Sequence, residues 1–188
     1  HVFIVEDSSV VALNVSGITR SKINISRGDS NDLSNLTLQW FLRVYAKDAS
    51  NTALASANIT VLDNSSGSYN TQAWNDTTDS TGYTGWVTTV EGIARWNYNP
   101  GNLNYTPHNI TGNYSGYWNS TLSFVNESKV VTLLIPYVRT YCSGNYSSLG
   151  GNWNIDTNVS CKNESIPVKG NITIFGNGNL TLSNVTIN

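Results

Sequence analysis

Seventeen asparagines in this chain open an Asn-X-Ser/Thr triplet, the acceptor for N-linked sugar; Asn104 apart, whose triplet runs straight into Pro107, sixteen stand as the candidate acceptors. They are Asn14, Asn24, Asn35, Asn58, Asn64, Asn75, Asn109, Asn113, Asn119, Asn126, Asn145, Asn158, Asn163, Asn171, Asn179 and Asn184. The chain holds 27 Asn and 43 Ser plus Thr in 188 residues, a composition that by chance would give roughly six such triplets. The excess points to genuine acceptors, and so to a chain that matures outside a cytoplasm. The two cysteines, Cys142 and Cys161, stand in a Gly/Asn/Ser-rich stretch. A closed zinc site wants four nitrogen or sulfur ligands, and no histidine cluster supplies them. One disulfide is the better reading, worth about 3 kcal/mol through loop closure, and it implies an oxidising compartment. The alternative is a pair of buried free thiols.

Other chemistry is thinly represented. Asp76 and Asp79 sit in "NDTTDSTG", where Asp most often bonds its own backbone in an Asx turn. They are a weak candidate for Ca2+, which takes hard oxygen ligands, although their spacing does not match an EF-hand loop. Glu6-Asp7 and Asp29/Asp32 are the other close acidic pairs. A glycosidase needs two carboxylates across a cleft, which linear spacing does not reveal. There is no Ser/His/Asp order, phosphate loop or CxxC motif, and "SRGDS" at Ser26–Ser30 reads as a solvated turn. The expectation is therefore a non-enzymatic chain with no catalytic residues and no cofactor beyond covalent N-glycans. Trp74, Trp86, Trp96, Tyr98, Tyr105, Tyr117 and Trp118 are either a sugar-stacking platform or core; the large area each would bury favours core.

Charged residues make up only 12% and net charge is −2, against about 25% charged in ordinary soluble domains. No basic patch exists for nucleic acid. The longest apolar run, Val130–Ile135, is too short to span a bilayer. The chain has no Met, as expected of a processed chain or a fragment.

The elements that must position these residues are strands. Apolar spacing at helical period is not sustained anywhere, whereas period-two runs of Val, Ile, Leu, Thr, Tyr and Trp recur between Gly/Asn/Asp/Ser turns. One phrase, Asn-apolar-Thr-apolar, appears at Asn35, Asn58, Asn171, Asn179 and Asn184. In a strand it turns both apolar residues to one face and both polar residues to the other. A half-buried strand and a sugar acceptor on its wet face are thus written together, and a glycan there would discourage sheet-to-sheet association. Three segments follow: 1–35 with short strands, 36–137 as one compact domain, and 138–188 with the cysteines and three copies of the phrase.

The middle segment carries a "D…A.ANITV" opening, a "TTDSTG" turn and a "NYSGYW" turn. In these it resembles the carboxypeptidase regulatory-like, transthyretin-like family, which implies an Ig/transthyretin-like β-sandwich and, in that family, usually a non-catalytic accessory role. The last segment, "NWNIDTNVSCKNESIPVKGNITIFGNGNLTLSNVTI", is similar to the stretches that open parallel β-helices in large archaeal surface proteins. Asn and Gly would take the corners there, since they tolerate a left-handed backbone; Leu182-Ser183-Asn184-Val185 shifts the inward parity by one, as a corner should. The first segment resembles the tail of such a solenoid. A third resemblance is to copper monooxygenases that cut polysaccharide. It would place copper on the terminal amine, the His1 ring and His108, with a tyrosine completing the site. Both ends look like incomplete coils, and fewer than about three coils do not bury a core alone. The chain is thus expected to be all-β, a sandwich flanked by solenoid-like strands, located at the cell surface. Its expected partner is itself, joined head to tail, with no nucleic acid and no membrane span. The alternative is an adhesin or carbohydrate-binding module from a larger β-helix protein.

Overall fold

A computed structural model describes residues 2–4, 8–16, 23–25, 34–65, 67–95 and 103–188, with 2–4 and 23–25 as backbone. The chain is all-β; among the described residues the helical content is one 3-10 turn, Cys142–Gly144. Among these residues no helix is long and apolar enough to cross a membrane. Two compact units form: His1–Lys47 with Ala53–Ile135, and Asp48–Thr52 with Pro136–Asn188.

The first unit contains β1 (Val2–Ile4), β2 (Ser9–Leu13), β3 (Ile23–Ile25) and the long β4 (Asn35–Lys47). It continues through β5 (Asn58–Ser65), β6 (Ser68–Thr77), β7 (Val87–Arg95) and β8 (Leu103–Asn104). It closes with β9 (His108–Tyr114), β10 (Tyr117–Ser123) and β11 (Lys129–Leu134). One sheet runs β11-β4-β7-β8 with β2 also on β4, and the other runs β10-β9-β5-β6. The organiser is β4, "NLTLQWFLRVYAK", whose alternation is complete: Leu36, Leu38, Trp40, Leu42, Val44 and Ala46 are buried and the residues between them half-exposed. Its thirteen residues are long enough to take β2 in parallel along Asn35–Gln39 and β11 in parallel along Leu42–Lys47, while β7 lies antiparallel on the other edge.

Ile59 and Val61 of β5 and Ile110 of β9 complete the core from the second sheet. The two sheets approach closely at Gly112, where an added Cβ would lie 2.5 Å from Leu133 Cδ2 and 3.0 Å from Ile135 Cδ1. The β9–β10 turn holds Ser115 and Gly116 at positive φ of 50° and 83°, the backbone that matches a two-residue hairpin to the twist of its strands. Of the N-terminal strands, β2 joins the sandwich, pairing in parallel with β4.

The second unit starts with β12 (Thr140–Tyr141) and β13 (Tyr146–Ser147), a small antiparallel pair. Three short strands follow, β14 (Trp153–Ile155), β15 (Asn158–Lys162) and β16 (Ser165–Ile166), and then three more, β17 (Ile172–Ile174), β18 (Asn179–Ser183) and β19 (Thr186–Ile187). Each of the second trio pairs in parallel with its counterpart: β14 with β17, β15 with β18 and β16 with β19. Two successive coils of chain therefore lie one on the other.

Candidate assembly and glycan-bearing surfaces

The second unit is held from its first residues. Asp48 is buried; its Oδ1 accepts the N–H of Ser50 at 2.8 Å and of Thr52 at 2.9 Å, and its Oδ2 faces Arg139 Nε at 3.4 Å. Cys142 and Cys161 form the disulfide, tying the 3-10 turn to β15. Glu164 accepts the N–H of Cys142 at 3.1 and 3.2 Å. Trp153 is buried beside Tyr146, with ring centroids 5.1 Å apart, and its Nε1–H donates to Asn145 Oδ1 at 2.7 Å. Both halves of the indole are satisfied: the ring by packing and the N–H by a partner.

The first coil turns Trp153, Ile155, Val159, Cys161 and Ile166 into this core, all at most 5% exposed. The second coil repeats the pattern in register, placing Ile172 opposite Trp153, Ile174 opposite Ile155, Leu180 opposite Val159, Leu182 opposite Cys161 and Ile187 opposite Ile166. Yet Ile174 is 51% exposed, Leu182 42% and Ile187 40%. The same positions that are dry in one coil are wet in the next: the first coil packs with Tyr146 and the disulfide-tied Cys142 turn as well as with its successor, whereas the second coil has only the first as a strand partner among those described. At the corners, Asn163 and Asn184 take φ of 56° and 53°, and Asn184 Nδ2 donates to Asn163 Oδ1 at 3.0 Å. Asn tolerates this left-handed backbone better than most residues, and the corner falls where the parity shift places it.

The other end of the chain is also built from parallel pairs. β1 lies beside β3, Val2 opposite Ile23; β2 lies beside β4, Val10 opposite Leu36 and Ala12 opposite Leu38. Val10, Val11, Leu13 and Val15 are exposed.

Of the fifteen acceptor asparagines whose side chains are described, twelve are exposed and three, Asn35, Asn64 and Asn109, half-buried; none is buried. Asn58 shows the design of the repeated phrase: it is exposed while Ile59 and Val61 beneath it are fully buried. Asn24 lies on β3, and its side chain falls outside the described residues.

Asp76 and Asp79 brace one loop. Asp79 Oδ1 accepts from Thr81 Oγ1 at 2.6 Å, Thr81 N at 2.8 Å and Tyr83 N at 3.1 Å, and its Oδ2 lies 3.8 Å from Arg43. Asp76 accepts the N–H of Thr77 and, through its other oxygen, of Gly85 at 3.0 Å. The Thr81 hydroxyl and then the Tyr83 N–H hold the Asp79 carboxyl below its ordinary range. These oxygens are taken up by backbone and side-chain groups of the turn itself. His108 is wholly buried on β9, its Nδ1 2.9 Å from Asp63 Oδ1; a copper ligand would need an open approach. His1, Glu6-Asp7, Asp29/Asp32 and the "SRGDS" stretch lie outside the described residues.

The aromatic residues depart from expectation. Trp86, Tyr117 and Trp118 are exposed, Trp118 by 66%, so the core reading fails for them. Tyr117 and Trp118 lie on β10, the edge strand of its sheet. Trp74 and Tyr105 are half-buried, and Trp96 and Tyr98 lie outside the described residues. Among the described residues the buried tryptophans are Trp40, whose Nε1–H reaches Glu91 Oε2 at 2.7 Å, and Trp153. Neither was singled out from the sequence, although each stands in a period-two alternation, Leu38-Trp40-Leu42 and Trp153-Ile155, that could have found it.

Among the described residues one group of three Cys, His or acidic side chains converges, Cys142, Cys161 and Glu164, and its two sulfurs are joined to each other. A comparison with known protein families gives no match, and a comparison with curated proteins gives none. The resemblances to the carboxypeptidase regulatory-like family and to archaeal surface β-helices therefore rest on the residues that carry them.

Proposed function

We propose that this chain is a non-enzymatic extracellular structural protein, a densely N-glycosylated subunit of a cell-surface filament, sheath or S-layer whose copies join head to tail through their terminal strands. The observation that carries this reading is the open coil at the C-terminal side. Ile174, Leu182 and Ile187 repeat positions that are buried one coil earlier, but lie 40 to 51% exposed. An uncovered coil offers unpaired backbone and apolar side chains to another chain. A contact of one end with the opposite end is heterologous, and such contacts build open arrays when the rotation does not close. The exposed acceptor asparagines support the exported, sugar-coated part of the reading: with few charges, glycan is what keeps the rest of the surface solvated. The disulfide fits an oxidising exterior.

A second reading, an adhesin or carbohydrate-binding module, is favoured by exposed Trp86, Tyr117 and Trp118, since sugars stack on open aromatic faces. One experiment separates the two. Glycosylated protein is followed by sedimentation velocity and negative-stain electron microscopy over a wide concentration range. Ordered assemblies above a threshold concentration, lost on deleting residues 1–16, are the expected result. A concentration-independent monomer that binds a glycan array, and stops binding as Trp86→Ala or Trp118→Ala, would replace the structural reading with the adhesive one.

A further inference from the structure

Building on that self-assembly reading, we propose the register of the joint: the first coil of one copy continues the solenoid of its neighbour, β1 and β2 stacking in parallel on β17 and β18. Val2, Ser9 and Asn14 of one copy then lie against Ile172, Asn179 and Asn184 of the next.

The two ends of the chain match element by element. β1 and β17 are both three-residue strands, and β2 and β18 both five-residue strands. Val2, Ser9 and Asn14 stand 170 residues ahead of Ile172, Asn179 and Asn184, so the spacing between elements is identical as well. Asn14 has φ of 52° and Asn184 of 53°, the same left-handed corner directly after the strand. The sequence after each corner agrees too, Asn14-Val15-Ser16 against Asn184-Val185-Thr186. The coil advance is similar in size without being identical: Val2 pairs with Ile23 and Ser9 with Asn35 at one end, Trp153 with Ile172 and Asn158 with Asn179 at the other. The first coil is thus a copy of the last in backbone, and its neighbours already sit in the parallel arrangement the joint requires.

Side chains agree with that register. In the second unit the inward column runs Val159 to Leu180 and Cys161 to Leu182. In the first unit Val10 faces Leu36 and Ala12 faces Leu38, both leucines being buried. The joint places Val10 and Ala12 next to Leu180 and Leu182, so two apolar columns run unbroken from one copy into the next. The corner asparagines have a matching polarity. Asn184 Nδ2 donates back to Asn163 Oδ1, while Asn14 Oδ1 already accepts from Ser128 Oγ at 2.7 Å. Asn14 therefore has its Nδ2 to donate to Asn184 Oδ1, in the same direction along the ladder. A stacked joint also gives the open edges of β2 and β18 the backbone partners that each lacks among the described strands.

Cysteine pairing reads the register directly. Val11 and Thr181 are exposed and outward, and come side by side in the joint; neighbouring strands bring Cα atoms within disulfide range. Assembled Val11→Cys/Thr181→Cys protein, oxidised mildly, should give a ladder of covalent multimers whose 11–181 linkage is found by peptide mapping. The single variants and the shifted pair Val11→Cys/Ser183→Cys should give no ladder. If the wild type assembles but the 11–181 pair does not link, or the shifted pair links as well, the register is wrong while self-assembly stands. If the wild type sediments as a monomer at every concentration and no link forms, both the register and the self-assembly reading are overturned.

Discussion

Acceptor asparagines in this chain do not all stand alone. Asn158 lies opposite Asn179, Asn58 opposite Asn113, and Asn184 is hydrogen-bonded to Asn163. Paired strands are about 4.8 Å apart, too close for two sugar rings to rise side by side without displacing each other. We expect at most one asparagine of each pair to carry a glycan in any one molecule. Intact glycopeptide mass spectrometry checks this: doubly occupied 158/179 or 163/184 species should be missing, while Asn126, alone in an exposed loop, should be occupied freely. Counting triplets along the sequence gives candidate acceptors but not their pairing, because pairing is a property of register. Asp79 supports a second prediction at this scale. Its carboxyl is held low by the Thr81 hydroxyl and the Tyr83 N–H. A group with a depressed folded-state pKa stabilises fully above its ordinary unfolded value of 3.8, and that contribution fades as pH falls through the lower folded value. The loop around Asp79 should therefore hold from neutral pH through pH 5 and loosen only in stronger acid. In Asp79→Asn the acid step should vanish, as read from amide chemical shifts of Thr81 and Tyr83.

At the scale of elements, strand identity was legible wherever one face is dry and the other wet. The Asn-apolar-Thr-apolar phrase placed Leu36 and Leu38 of β4 and Ile59 and Val61 of β5, and the same alternation carries on through Trp40, Leu42, Val44 and Ala46, which are buried too. What alternation does not tell is whether a neighbour covers the apolar face. Trp118 of β10 reads as core but is exposed, and so is Leu122 on the same face. The same is true of Ile174 and Leu182 in the last coil. Burial also concentrates the energetics. Leu42 is fully buried at the centre of β4, so Leu42→Ala should cost about 3 kcal/mol, counting lost transfer energy and the cavity together; denaturant unfolding measures it. The disulfide acts on the other unit. Replacing both Cys142 and Cys161 by Ser should destabilise the coils by about 3 kcal/mol. Hydrogen exchange should then quicken across Trp153–Ile166 and stay unchanged in β4 and β5.

For the whole molecule, charge decides what kind of association is available. Only 12% of residues are charged and the net charge is −2, so long-range attraction between copies is weak from the outset. From Ile172 to Asn188 there is no Asp, Glu, Lys or Arg at all. A joint on that coil would be formed by apolar columns, backbone hydrogen bonds and asparagine amides. Interactions of this type are not screened by ions, whereas exposed ion pairs fade as the Debye length contracts from about 10 Å at 0.1 M to about 3 Å at 1 M. Excluded salts such as sulfate act the other way and strengthen apolar burial. Two outcomes follow for the threshold concentration of assembly, measured by light scattering. Raising sodium chloride from low to high concentration should shift it by less than about threefold. Ammonium sulfate at matched ionic strength should lower it. A threshold that climbed steeply with sodium chloride would mean that charged residues elsewhere on the surface carry the association, and the terminal coil would lose its place as the joint.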